Sequence, residues 1–181
     1  DLAQKNAYYF KKQQIEKNER YKSAAERQLD VLKEIETTLK LTALPTHIEC
    51  FDNSNIQGSH PVAACVVCKN AKPAKNEYRH YHVKTVEGPN DFASMSEIVY
   101  RRYKRVLDEN KPLPDLIVID GGKGQLHAAM ESIIRLGLEN KVKVVGIAKR
   151  LEEIYFPNDP VPLYINKKSE SLKVIQKIRN E

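Results

Sequence analysis

A chain of 181 residues with 41% hydrophobic and 30% charged residues is long enough for one domain with a real core plus an appendage, and its composition is globular. No apolar run approaches a membrane span and no signal peptide opens the chain, so neither a membrane nor a secreted reading is supported, and the expected location is cytoplasmic. The formal net charge of +6, with a pI near 9.1, permits a polyanionic partner without requiring one.

The opening Asp1-Leu2-Ala3-Gln4-Lys5 reads as a cut inside a helix, and hence as part of a longer protein. From Asp1 to about Leu41 there is neither Gly nor Pro, and a thin apolar stripe (Leu2, Tyr9, Ile15, Leu29, Leu32, Ile35, Leu39) runs among polar residues. This pattern predicts a long, mostly polar helix, broken once, that ends before Pro45. Residues 1–45 are thus assigned to a helical linker and 46–181 to the principal domain.

Three β-favouring segments follow, His47 to Asp52, Val62 to Lys69 and Tyr78 to Val83, with connections short enough for an antiparallel meander. A helix is expected from Asp91 to about Asp108, with Met95, Ile98, Val99 and Val106 inward. The wholly apolar Leu116-Ile117-Val118-Ile119 reads as a strand covered on both faces. A helix from about Lys123 to Leu136 comes next, then a buried strand from Val142 to Ala148. A hairpin around Pro157-Asn158-Asp159-Pro160 and a last helix capped by Ser169 close the chain. The order predicts an α/β fold, a mixed sheet of about five strands flanked by helices.

Cys50, Cys65 and Cys68 are an odd set without secretory signals, which argues for a reducing environment. Cys65-Val-Val-Cys68 has metal-like spacing but sits in an apolar run with no second Cys/His pair, so core packing is the better reading.

Two of the strands end alike. Ile48-Glu49-Cys50-Phe51-Asp52 and Leu116-Ile117-Val118-Ile119-Asp120 each finish on an aspartate followed by small or flexible residues. If the strands are parallel neighbours, both carboxylates leave one edge, where open α/β sheets hold their ligands. Two adjacent carboxylates repel unless a proton or cation lies between them. Hard oxygen donors beside phosphate suit Mg²⁺ or Mn²⁺, which can activate water and offset charge on a phosphoryl group. On pattern alone the aspartates stand evenly between metal ligands and turn residues.

Gly121-Gly122-Lys123-Gly124-Gln125 adds a tight turn, a helix start that offers N–H groups to an anion, and Lys123 and Gln125 as phosphate-binding candidates. Neither the P-loop nor the dinucleotide fingerprint fits this spacing, so no nucleotide cofactor is expected. Asp91 is either a cap or first-turn acid, or a further carboxylate near the metal. Arg101 and Arg102 in Tyr100-Arg101-Arg102-Tyr103-Lys104-Arg105, with Lys149 and Arg150, are candidates for a phosphate-binding surface; a solvated helix face is the other reading.

Four segments resemble motifs of one family in the right order: Phe51 to Gly58, Lys84 to Met95, Ile119 to Gln125 and Ala148 to Ile154. The family is the C-terminal endonuclease domain of UvrC, the incision subunit of bacterial nucleotide excision repair, and the resemblance runs from about His47 to the end. It implies a ribonuclease H-like fold and metal-dependent cutting on the 5′ side of a lesion in damaged double-stranded DNA. It also implies UvrB as a partner, met through regions outside this chain. The implied catalytic set is two aspartates, matched by Asp52 and Asp120, and one histidine, with Asp91 in a motif that carries a functionally important acid.

Asn55 stands where many relatives have histidine, and Cys68 where a bulky apolar residue is common. The histidine of the implied set belongs to an Ala-His-Arg-Phe segment beyond Arg179-Asn180-Glu181 and matches none of the five present, so weak or no cleavage is expected of these residues by themselves. The alternative function is a non-catalytic nucleic-acid or protein-binding module with the same fold.

Overall fold

The computed structural model describes residues 1–54, 62–84, 90–148 and 153–181, apart from the side chains of Glu19 and Ser54. Two helices come first, α1 (Leu2–Tyr21) and α2 (Ala24–Thr38). A reciprocal cap separates them: Ser23 Oγ accepts the Glu26 N–H at 3.2 Å, and Glu26 accepts the Ser23 N–H at 2.7 Å. Leu2, Tyr8, Tyr9, Phe10 and Ile15 of α1 stay largely exposed, whereas α2 buries Leu32 and Ile35. The first 45 residues therefore divide into a solvated helix and one that packs on the sheet.

Among the described residues the sheet has eight strands: β1 (His47–Ser54), β2 (Val62–Lys69), β3 (Lys72–Pro73), β4 (Arg79–His82), β5 (Leu116–Asp120), β6 (Lys143–Ala148), β7 (Glu153–Tyr155) and β8 (Leu163–Tyr164). Their order is β3-β2-β1-β5-β6-β7-β8, with β4 also paired to β2. β2 lies antiparallel to β1, and β4 antiparallel to β2, as the short connections require. β5 lies parallel to β1 and β6 parallel to β5. Their crossovers carry α3 (Asp91–Asp108) and α4 (Lys123–Arg135), while α5 (Glu170–Asn180) ends the described chain.

Helices on both faces explain the uninterrupted apolar run of β5, every residue of which is buried. On one face Phe51, Ile117 and Ile119 pack with Met95, Ile98, Val99 and Tyr103 of α3 and Ala129 and Ile133 of α4. On the other, Ile48, Cys50, Leu116, Val118 and Ile147 pack with Ile35 and Leu39 and with Leu172, Ile175 and Ile178 of α5. Cys50, Cys65 and Cys68 are buried and not joined in disulfides, as the apolar pattern suggests.

The five expected strands are β1, β2, β4, β5 and β6, and the expected hairpin joins the sheet as β7 and β8. The addition is β3. Asn70 and Ala71, between β2 and β3, have φ of 51° and 60°. Two successive residues in the left-handed region make the tight hairpin turn. Asn-Ala lacks the glycine that would advertise such a turn, and a two-residue strand carries no periodicity. Pro73 is tolerated there because β3 is at the sheet edge. Among the described residues no helix is long and apolar enough to cross a membrane.

Candidate active site at the carboxyl ends of β1 and β5

Ile48, Glu49, Cys50 and Phe51 pair in parallel with Leu116, Ile117, Val118 and Ile119. Asp52 and Asp120 follow directly on that ladder, so they leave neighbouring strands whose backbones lie about 4.8 Å apart. Alternation along the strands puts both on the face of Cys50 and Val118. Asp52 is half-buried and Asp120 only 7% exposed. The arrangement expected from sequence, two acids at one edge of two parallel neighbours, is the one observed.

The turn after Asp120 is held closely. Gly121 N–H donates to Ile147 O on β6 at 2.9 Å. A Cβ on Gly121 would lie 2.5 Å from Gln125 Cβ, and one on Gly146 would lie 3.0 Å from Gly121 O. Bare backbone at both positions lets the turn lie against β6 and α4. Gly122 begins α4 without a side-chain cap, leaving first-turn N–H groups at this edge. Gln125 Oε1 is buried and finds no hydrogen-bond donor among the described residues.

Asp91 is the first residue of α3, whose cap is Asn90: its Oδ1 accepts the Ala93 N–H at 3.1 Å. The sequence pattern did not single out Asn53, yet its Nδ2 donates to Asp91 O at 2.8 Å and ties the end of β1 to the start of α3. Asn53→Ala is expected to cost about 1 kcal/mol in denaturant unfolding, one ordinary hydrogen bond, and to loosen the placement of Asp91. Among the described residues no three His, Cys, Asp or Glu side chains gather as a metal cluster.

The basic candidates separate. Lys123 Nζ donates to Pro160 O at 2.7 Å and lies 5.4 Å from the centre of the Tyr155 ring, which holds its charge at the α4 start. Tyr155 and Tyr164 in turn donate to Glu153, and these bonds lower the pKa of that carboxyl. Arg101 donates to His82 O at 2.8 Å and to Glu97 at 3.0 Å and remains one-third exposed. Lys149 and Arg150 lie outside the described residues, as does part of the Lys84 to Met95 motif.

Arg102 departs from the expected phosphate-facing position. It turns inward and grips Glu49, which is 1% exposed: Nη2 donates to Oε1 at 2.6 Å and Nε to Oε2 at 3.2 Å. Tyr103 Oη donates to Oε2 at 2.8 Å, and the Cys65 thiol lies 3.7 Å away. His47 Nε2 stands 3.2 Å from Oε1, close enough to favour the carboxylate but poorly aligned for a hydrogen bond. Burial pushes the Glu49 pKa up, but His47, Arg102 and Tyr103 outweigh it and bring it to about 2. The same carboxylate, after burial itself, pushes the Cys65 thiol and the Tyr103 hydroxyl well up. A pattern in the sequence could have found this: Ile98, Arg102 and Val106 are four apart, on the buried face of α3.

A mixed sheet with a parallel β1-β5-β6 centre, helices on both faces and two carboxylates at the ends of adjacent strands defines a ribonuclease H-like α/β domain. The family described as the UvrC RNAse H endonuclease domain matches the chain over residues 36–181, and the chain belongs to that family. It is 66% identical over 151 residues to a UvrABC system protein C of Flavobacterium johnsoniae, covering 83% of this chain and 25% of that protein. A UvrABC system protein C of Porphyromonas gingivalis is 57% identical over 181 residues, covering all of this chain and 30% of that protein. The chain thus spans under a third of the length of these curated relatives. Among solved structures, endonuclease V of Ciona intestinalis in complex with DNA aligns over 94% of this chain and 68% of its own, at 20% identity and a TM-score of 0.42, too slight a likeness to argue from.

Proposed function

We propose that residues 46–181 act as a metal-dependent DNA endonuclease that makes the 5′ incision in nucleotide excision repair, with residues 1–45 as a helical lead-in. The observation that carries this reading is the adjacency of Asp52 and Asp120 at the ends of two parallel strands. The donor set fits a hard divalent ion: two carboxylates on neighbouring strands, with the Gln125 amide oxygen close to the turn that follows Asp120. Asp52 and Asp120 would hold Mg²⁺ or Mn²⁺. When bound, such an ion makes water a better nucleophile and offsets the charge that builds on the phosphoryl group.

The chain's own residues then have separate tasks. Asp52 and Asp120 present negative charge from the sheet edge. The α4 N–H groups and Lys123 attract the backbone phosphate, with Gln125, Arg101, Lys149 and Arg150 extending the grip along the strand. Arg102 is left out of that set because its guanidinium is engaged by Glu49. Asp91 would shape the edge from the start of α3, where Asn53 anchors it. Damaged double-stranded DNA is the substrate of this reading. UvrB is its partner, met through parts of the relatives' length that this chain does not span.

Titration of this chain with Mn²⁺, followed by electron paramagnetic resonance of the free ion, tests the assignment without requiring cleavage. Binding at micromolar to millimolar ion is expected, weakened about tenfold or more by Asp52→Asn and by Asp120→Asn, each of which removes a ligand charge. Equal binding by the parent and both variants would show that the ion sits elsewhere.

A further inference from the structure

Beside α4, Leu126, Met130 and Ile134 face the turn at Phe156, Pro157 and Pro160 across a groove of about 580 Å³, with the buried Leu126 at its base where the helix meets the core. That volume lies within the roughly 300–1,000 Å³ of small-ligand sites. The groove begins at Lys123, three residues after Asp120, and the Lys123–Pro160 hydrogen bond braces that end. Its far end is open, with Ile134 56% exposed. The walls are apolar, and the polar groups His127, Glu131, Asn158 and Asp159 complete the lining.

We propose that this groove receives one unstacked nucleobase of the DNA strand whose backbone lies at the start of α4. The proposal rests on the DNA-endonuclease reading and adds a binding subsite to it. Three observations favour a base over an apolar segment of a protein partner. The groove begins at Lys123, the first residue of α4 and three residues along the chain from Asp120. The cationic end complements a phosphate, while the interior beyond it offers a ring (Phe156), a thioether (Met130) and two prolines as stacking surface. The side-chain groups at the lining, an imidazole, an amide and two carboxylates, suit the donors and acceptors at the edge of a base. Every base has a π-face, so such a site discriminates weakly by sequence and accepts a range of bases. It would hold the strand in register with Asp52 and Asp120 by capturing a base beside the phosphate, which phosphate contacts alone do not do.

The test compares a short single-stranded oligonucleotide with the same strand made fully abasic, both labelled for fluorescence anisotropy and titrated with this chain at fixed salt. The base-bearing strand is expected to bind about tenfold more tightly, the range of one base stacked on a protein. Met130→Trp, which fills the groove, and Ile134→Asn, which makes an exposed wall polar without adding charge or touching the core, are each expected to remove that preference and leave the abasic affinity unchanged. Circular dichroism melting of both variants confirms folding, and Ile134→Asn carries the test if Met130→Trp does not fold. Equal binding of the two strands by the parent chain overturns the base subsite alone. A preference that survives in both variants assigns the groove to another occupant, and also overturns it. No binding of either strand overturns the DNA reading together with the subsite.

Discussion

Asp120→Asn is expected to lower metal-dependent nicking by about 100-fold or more, with DNA affinity unchanged or raised. The magnitude follows from the position of Asp120 as a direct ligand in the proposed site, since loss even of groups that only support a metal ligand costs 10- to 100-fold. Asparagine keeps the shape of the side chain at a buried strand end and removes one negative charge, so the fold survives. The loss of that charge also relieves repulsion of the DNA phosphate, which is why binding does not fall. Asp52→Asn should behave alike. The assay is nicking of a lesion-bearing duplex by the Porphyromonas gingivalis relative with this chain in place of its equivalent region, to which it is 57% identical over 181 residues. Undiminished nicking by both variants would remove the aspartates from the chemistry.

The largest expected effect on stability lies at Arg102, not at the candidate site. Arg102→Met leaves the Glu49 carboxylate buried on β1 without its bidentate partner, and breaking one side of a buried pair costs about 3–5 kcal/mol. The double variant Glu49→Leu, Arg102→Met is expected to regain most of that loss, because desolvation of both charges disappears with them. Acid should expose the same pair. The Glu49 pKa is depressed from 4.5 to about 2 in the folded chain. Its contribution is therefore complete above pH 4.5 and is lost as the pH falls from there toward 2. The amount at stake is about 3 kcal/mol. Urea unfolding between pH 7 and pH 2.5 checks it: the parent should lose stability through that window, and the double variant should lack this part of the slope.

Glu49 also illustrates what the sequence conceals. The apolar runs ending in Asp52 and Asp120 were legible because each runs into polar or glycine-rich residues, and because the short β1–β2 link and the α3 crossover leave little choice of pairing. Helices α3, α4 and α5 were legible from their apolar period and, for α5, from Ser169, whose Oγ accepts the Leu172 N–H. A glutamate inside an apolar strand has no such local sign, since its partner Arg102 is 53 residues away and lies in a basic run that invites a surface reading. Helix geometry decides between neighbours there: Arg101 stays partly exposed while Arg102, next to Tyr103 on the inner face, is drawn into the core. The groove beside α4 was hidden for a related reason. It needs the β7–β8 turn to fold back over α4, a closure marked by the hydrogen bond from Lys123 to Pro160 O.

The most direct measurement is a crystal structure of this chain soaked in Mn²⁺, with the ion located by its anomalous scattering. The expected result is an ion at the ends of β1 and β5 with both the Asp52 and the Asp120 carboxylates among its ligands. Ions found only at other carboxylates, with Asp52 and Asp120 sharing none, would contradict the metal-site assignment.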